Sequence, residues 1–443
     1  MTHHTTYLRL IAVLGLGLAV SACDSWIGNN ESPPLPGDRI SVLKHESALQ
    51  PDAEGEASGI RLPAPSPTPD WPQNGGYANH AMHHIAAAPQ LREVWTRDIG
   101  QGADSGHRFV TTPIVADGRI FAMDAGSDVT ALNAQTGEEL WSIALTPDEE
   151  DDGHIQGGLA YENGRVFAGT GFAQVIAIDA ASGKIIWRKN VSGPIRSAPT
   201  VRGGRVFAVS LDNKLHALAA DDGRLLWSHS GSDELAMLLG GASPAEDQGV
   251  VVVPYTSGEL AALKVDNGRQ LWMDSLSSAR RTDATAAMAH IRANPIIDRG
   301  RVFAISNSGM MVSIDLRTGQ RVWDKNIGGH ESLWVAGEYL YTLTGNEELA
   351  ALERNTGRVL WVTPLPRWED PESYKGPIVW TGPLLVSDRL IVASSDGVAV
   401  AVSPYSGKIL GSESMPDSVS VPPIVAGDTV YFLADDATLA AYR

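Results

Sequence analysis

Beyond about residue 90 the chain alternates short apolar runs with glycine-containing turns, and no stretch carries a sustained helical period. Segments such as "TPIVADGRIFA" (Thr112 to Ala122), "APTVRGGRVFA" (Ala198 to Ala208), "NPIIDRGRVFA" (Asn294 to Ala304) and "PPIVAGDTVYF" (Pro422 to Phe432) place two runs around a tight turn. That is the sequence form of a β-hairpin. Degenerate versions begin near Gly158, Ala242, Leu333 and Pro383, which makes eight hairpins.

A second pattern sits between the hairpins. "AIDAASGKIIW" (Ala177 to Trp187) is matched by "ALNAQTGEELW" (Ala131 to Trp141), "ALAADDGRLLW" (Ala217 to Trp227) and "ALKVDNGRQLW" (Ala262 to Trp272). "SIDLRTGQRVW" (Ser313 to Trp323), "ALERNTGRVLW" (Ala351 to Trp361) and "AVSPYSGKILG" (Ala401 to Gly411) complete seven copies. Spacings of roughly 40 to 50 residues suit four-stranded propeller blades. Eight hairpins against seven outer strands leave one blade incomplete. "LREVWTRDI" (Leu91 to Ile99) precedes the first hairpin and carries Trp95 as an outer strand would. The pattern therefore predicts an all-β fold: an eight-bladed β-propeller with four-stranded antiparallel blades, closed by an N-terminal strand. Closure removes open sheet edges.

Each repeat residue has a structural task. Gly183 and its counterparts are expected at positive φ, where glycine meets no steric penalty. Asp179, Asp315 and Asn133 are placed to accept backbone N–H bonds in the turn. Trp187 has the flat apolar face needed to fill the wedge between neighbouring outer strands, which contributes about 2–3 kcal/mol. Regular spacing of this kind marks architecture rather than a cofactor site.

Ahead of the propeller the composition changes. Residues 1–22 follow the layout of a secretory signal, with a polar start, an apolar run from Leu10 to Val20, and small residues before Cys23. Eleven such residues are too few to span a bilayer. "VSAC" resembles the lipobox of bacterial lipoproteins, which makes Cys23 the expected lipid attachment point. Residues 23–70 include "ESPPLPG" and "LPAPSPTPD" and read as a proline-rich flexible tether. Residues 71–443 form the expected propeller. Cys23 is the one cysteine, so no intramolecular disulfide can form. The net charge of −18 argues against nucleic-acid partners.

No catalytic constellation emerges. Gly-x-Ser-x-Gly is absent, and neither Gly183-Lys184 nor Gly407-Lys408 continues as a phosphate loop. His80, His83 and His84 cluster in "NHAMHH" but lack a zinc-ligand spacing, and the acidic run from Asp148 to Asp152 lacks the alternation of a Ca²⁺ loop. Catalytic residues, metal and cofactor are accordingly expected to be none.

The blade motif resembles that of quinone-dependent dehydrogenases, many of which carry adjacent cysteines that this chain lacks. The lipobox, the tether and the repeats together, with segments such as "RISVL", "DWPQNGG", "PLPRWEDPE" and "VSPYSGKILG", resemble the BamB lipoproteins of the outer-membrane β-barrel assembly machinery, alphaproteobacterial type. This resemblance implies a non-catalytic periplasmic scaffold on the outer membrane. It also implies a POTRA domain of a BamA-like barrel protein as partner, alongside other assembly lipoproteins and unfolded outer-membrane proteins. Family contact loops match "GPIRSAP" (Gly193 to Pro199) and "AHIRANP" (Ala289 to Pro295). They mark Ile195, Arg196, His290 and Arg292 as partner-binding candidates, with His290 and Arg292 standing where the family has acids. Asp24, next to the cysteine, favours inner-membrane retention in enterobacterial sorting, so either membrane could hold the anchor. Two alternatives stay open at this stage: a quinone-dependent periplasmic dehydrogenase and a generic periplasmic adaptor.

Overall fold

The computed structural model describes residues 49–52, 59–104, 106–150, 155–234, 238–277 and 289–443; the signal segment, Cys23, Asp24 and most of the tether lie outside them. The eight hairpins become the inner halves of eight four-stranded antiparallel sheets, and no helix occurs among the described residues. Blade 2 is representative. From the axis outward it runs Gly158–Glu162, Arg165–Thr170, Gln174–Asp179 and Ile185–Asn190. Its second and third strands are almost wholly buried, and its outer strand is largely exposed.

Ring closure follows the sequence expectation. Blade 8 consists of Ile424–Ala426, Thr429–Leu433 and Thr438–Tyr442, completed by the N-terminal strand Glu93–Asp98. Trp95 pairs with Ala441, as Trp187 pairs with Ala177 in blade 2. The fold is an eight-bladed propeller.

The repeat residues perform the local tasks their chemistry suggests. All seven turn glycines have φ between +67° and +72°. The Asp179 carboxylate accepts bonds from Ser182 N (2.8 Å) and Oγ (2.6 Å), and Asp315 does the same for Thr318. Each Trp lies over the turn glycine of the next blade: a Cβ on Gly183 would sit 2.8 Å from the Trp141 ring. The Trp141 indole also donates to the Ala180 carbonyl (3.1 Å), and Trp187 to Ala220 (3.0 Å). From blade 1 to blade 6 the core is consequently divided among the seams, while one larger cluster runs through blades 6, 7, 8 and 1. One cluster joins Phe207 and Ala217 of blade 3 to Val251 and Leu263 of blade 4; another joins Phe121 and Ala131 of blade 1 to Val166 and Ile176 of blade 2.

The central channel is filled by the chain itself. Residues 66–87 wind around the axis and bond to every blade in turn. Trp71 exchanges two backbone bonds with Val115 of blade 1, Pro72 accepts from Tyr161 of blade 2, and the Gln73 amide holds both backbone groups of Val201 in blade 3. Ala78 accepts from Glu246 of blade 4 and Asn79 from Ile297 of blade 5. His83 accepts from the Trp334 indole of blade 6, Ile85 from Ser387 of blade 7, and Thr68 from Gly427 of blade 8. Trp71 stacks on Trp334 at 6.3 Å, tying blade 1 to blade 6 through the channel. The loop closes tightly at Gly76, where a Cβ would lie 2.1 Å from the Met82 sulfur.

Packed structure also begins earlier than composition suggests. Ile60 is buried, Arg61 N donates to the Tyr339 hydroxyl (3.1 Å), and Ser66 bridges to Ile85. Proline-rich, extended chain lying along a surface needs no apolar periodicity to be held there, so it reads as tether in sequence.

The histidines of "NHAMHH" diverge. The His80 Nδ1 meets Pro295 O (2.7 Å), His84 meets Pro63 O (2.7 Å), and His83 pairs with Asp298 (3.4 Å). They brace three separate contacts.

Three substitutions test this architecture by denaturant unfolding. Trp187→Ala removes a seam ring and costs about 3 kcal/mol, whereas Leu225→Ala on an exposed outer strand stays within about 0.5 kcal/mol. Trp71→Ala costs about 3–5 kcal/mol, the loss expected of a core residue; a value near zero would mean that the channel segment is not part of the folded body.

Candidate partner-binding face

Antiparallel order within each blade puts two sets of connections on one face of the ring. These are the links from an outer strand to the next blade and the turns joining the second and third strands. Three of these links gather at blades 3 to 5. Gly193–Pro199 is stitched down by Ile195 N to Thr170 O (3.0 Å) and Leu211 N to Pro194 O (2.8 Å). The loop Ala289–Pro295 is held by Asn307 N to His290 O (3.1 Å). Between them lies Leu238–Pro244, whose Ser243 N donates to Asn294 Oδ1 (2.7 Å) and whose Leu238 N donates to His290 Nδ1 (3.0 Å).

The four sequence candidates divide into two kinds. Ile195 is fully buried and His290 is 1% exposed, so neither side chain is on offer at the surface. Both are supports that hold the loops. Arg196 and Arg292 are half-buried and flank Gly240–Gly241: a Cβ on Gly240 would lie 3.4 Å from Arg292 Nε, and one on Gly241 would lie 3.5 Å from Arg196 O. Arg196 Nε is buried with no hydrogen-bond partner, and neither arginine forms an ion pair among the described residues. On a chain of net charge −18, two guanidinium groups without ion-pair partners among the described residues thus stand at one loop cluster, and guanidinium groups favour carboxylate and carbonyl partners.

Burial shapes the titration here. The His290 imidazole is lowered to about 4, by desolvation first and by the Arg292 charge second. His330 is also lowered, again chiefly by burial. Glu347 is pushed up to about 7 by burial, with the nearby Glu331 charge adding to the shift. Both carboxylates brace blade 7: Glu347 accepts from Trp380 N (3.2 Å), and Glu331 from Gly382 N (3.2 Å) and Thr381 Oγ1 (2.8 Å). Nothing in the repeat pattern marks them, because they sit in connections where the period is lost.

The extended segment before blade 7 holds a feature that the periodicity did not predict. Trp368–Asp370 and Lys375–Pro377 pair as a small extra hairpin, with Trp368 edge-on to Tyr374 at 5.9 Å. Tyr374 is 71% exposed.

Ring, repeats and loop face define a propeller of PQQ-like repeats. A family profile described as outer membrane protein assembly factor BamB matches residues 86–156 and 125–363, and the chain belongs to that family. It is 26% identical to the outer membrane protein assembly factor BamB of Escherichia coli K12, over 78% of this chain and 87% of that protein. It is 25% identical to the Yersinia pestis protein of the same name, over 79% and 88%. The crystal structure of BamB from Moraxella catarrhalis superposes with a TM-score of 0.65 at 18% identity, covering 80% of this chain and 98% of that one. A europium-containing methanol dehydrogenase has a TM-score of 0.66 at 15% identity over 82% and 89%, a likeness of fold alone.

Above the channel segment lies a cavity of about 60 Å³, floored by Trp71, Gly75 and His80, well below the roughly 300 Å³ at which small-molecule sites begin.

His290 gives a direct test of loop closure. Its folded pKa lies below the unfolded value, so its contribution to stability is fully present above about pH 6.5 and is lost as pH falls towards 4. An NMR titration of its C2–H is expected to have its midpoint near 4. A midpoint near 6.5 would show a solvated ring and an open loop cluster.

Proposed function

We propose that this protein is a non-catalytic scaffold of outer-membrane protein assembly. It is anchored through a lipid on Cys23 to the periplasmic side of the outer membrane and holds a POTRA domain of a BamA-like barrel protein. Family membership supports the assembly role. The observation that carries the contact is the pair Arg196 and Arg292, without ion-pair partners among the described residues and held by a loop cluster with buried supports. Other assembly lipoproteins are its expected neighbours, and unfolded outer-membrane proteins its expected clients. The resemblance implies an Arg in one contact loop and acids in the other; Arg292 stands where the acids are expected, so the partner surface facing that loop is expected to present carboxylates or free carbonyls. The filled channel supports the scaffold reading over a quinone-dependent enzyme.

Co-purification in mild detergent tests this reading. The natural chain is expected to retain a POTRA-containing barrel protein. Arg196→Asp with Arg292→Asp should weaken retention by about ten-fold or more, with an unchanged melting temperature. Retention of a different partner, or of none, would sink it.

A further inference from the structure

The seam between blades 7 and 8 breaks the pattern of the other seven. In blade 1 the row across the second, third and fourth strands reads Phe121, Ala131, Trp141. In blade 7 it reads Ile391, Ala401, Gly411, so both aromatic rings are missing. The receiving side has changed as well. Blade 8 joins Thr438–Tyr442 to Glu93–Asp98, strands from distant parts of the chain, so no turn and no turn glycine stands there. At the seven regular seams a Cβ on the turn glycine would meet the Trp ring at 2.5–2.9 Å; a Cβ on Gly411 would meet nothing within 4 Å.

What remains is an open recess of about 280 Å³, lined by Leu91, Ile391, Leu410, Met415, Phe432 and Tyr442. Phe432 and Tyr442 meet edge to face at 5.4 Å, giving one wall an aromatic surface with room for a third ring. The recess is held in shape from behind: the Arg389 guanidinium, which also lines it, donates to Ala88 O (2.7 Å) and Pro89 O (2.9 Å), fixing the segment that leads to Leu91. Ile409 and Leu410 at its rim are each 56% exposed on an outer strand that is open to solvent along its length.

We propose that this recess binds an aromatic side chain, indole above all, presented by an extended segment of a partner polypeptide. The chain's own architecture indicates the occupant. At seven equivalent seams the wedge between outer strands is filled by a Trp ring, and at the eighth the wedge persists while the ring is absent. The exposed strand Ile409–Ser414 supplies a free edge along which a partner backbone can run while its ring enters. This surface is separate from the Arg196 and Arg292 loops, and the proposal does not depend on their role.

The test uses the full chain and a 5-fluorotryptophan peptide, acetyl-Gly-(5-fluoro-Trp)-Gly amide, followed by ¹⁹F NMR. The fluorine resonance is expected to shift saturably, with the methyl signals of Leu91, Leu410 and Met415 moving alongside it. Gly411→Trp fills the recess from within. It should keep the melting temperature at or above that of the natural chain and weaken peptide binding by about ten-fold or more. Three results would overturn the proposal: no shift with the natural chain, undiminished binding by folded Gly411→Trp, or equal competition by acetyl-Gly-Leu-Gly amide. If Gly411→Trp does not fold, the methyl signals decide alone, and shifts at other seams count against the site.

Discussion

An indole ring lying flat on a glycine of the neighbouring blade is the contact through which this ring is assembled. The glycine has to be there twice over. Its φ near +70° suits a residue without a Cβ, and any Cβ would collide with the ring. The Trp adds an N–H bond to a carbonyl of the next blade, so apolar burial and one directional bond act at the same joint. A wedge-shaped gap opens wherever flat sheets fan out around an axis, and it widens outward. A large planar side chain at the outer strand is the economical filler, which is why five of the six core clusters each sit at a single seam.

The opposite problem arises at the axis, where eight inner strands present unpaired backbone groups to a narrow channel. Buried N–H and C=O groups without partners are costly. Residues 66–87 answer that cost by bonding to each blade in order. The segment makes the ring circumferentially continuous a second time, since it touches blades 8 and 1 through 7 within one short stretch of chain. It also leaves a cavity of only about 60 Å³ beside Trp71, Gly75 and His80. The surfaces left for the proposed contacts lie at the periphery: the loop face, where Arg196 and Arg292 have no ion-pair partner among the described residues, and the irregular seam at Gly411.

Much of this was legible in the chain. The repeat, its count and its closure by the strand around Trp95 follow from spacing, because each repeat residue answers a local demand that recurs in every blade. The loop candidates were legible only as positions. Ile195 and Arg196 are adjacent in sequence, yet one faces the core and the other the surface, and nothing in a single aperiodic loop says which. His290 has the same history. Its burial depends on Leu238, some fifty residues away in the chain.

The sequence by itself determined the eight-fold ring, since glycine, Asp and Trp at fixed offsets act within a turn or between adjacent blades. Tertiary structure alone decided the roles of "DWPQNGG" and "NHAMHH". Their partners are spread over blades 1 to 7, and a segment that bonds through its backbone to many distant strands carries no period of its own. The same holds for Gly411. As a letter it is one substitution in a repeat, and only the missing turn of the facing blade makes it a cavity.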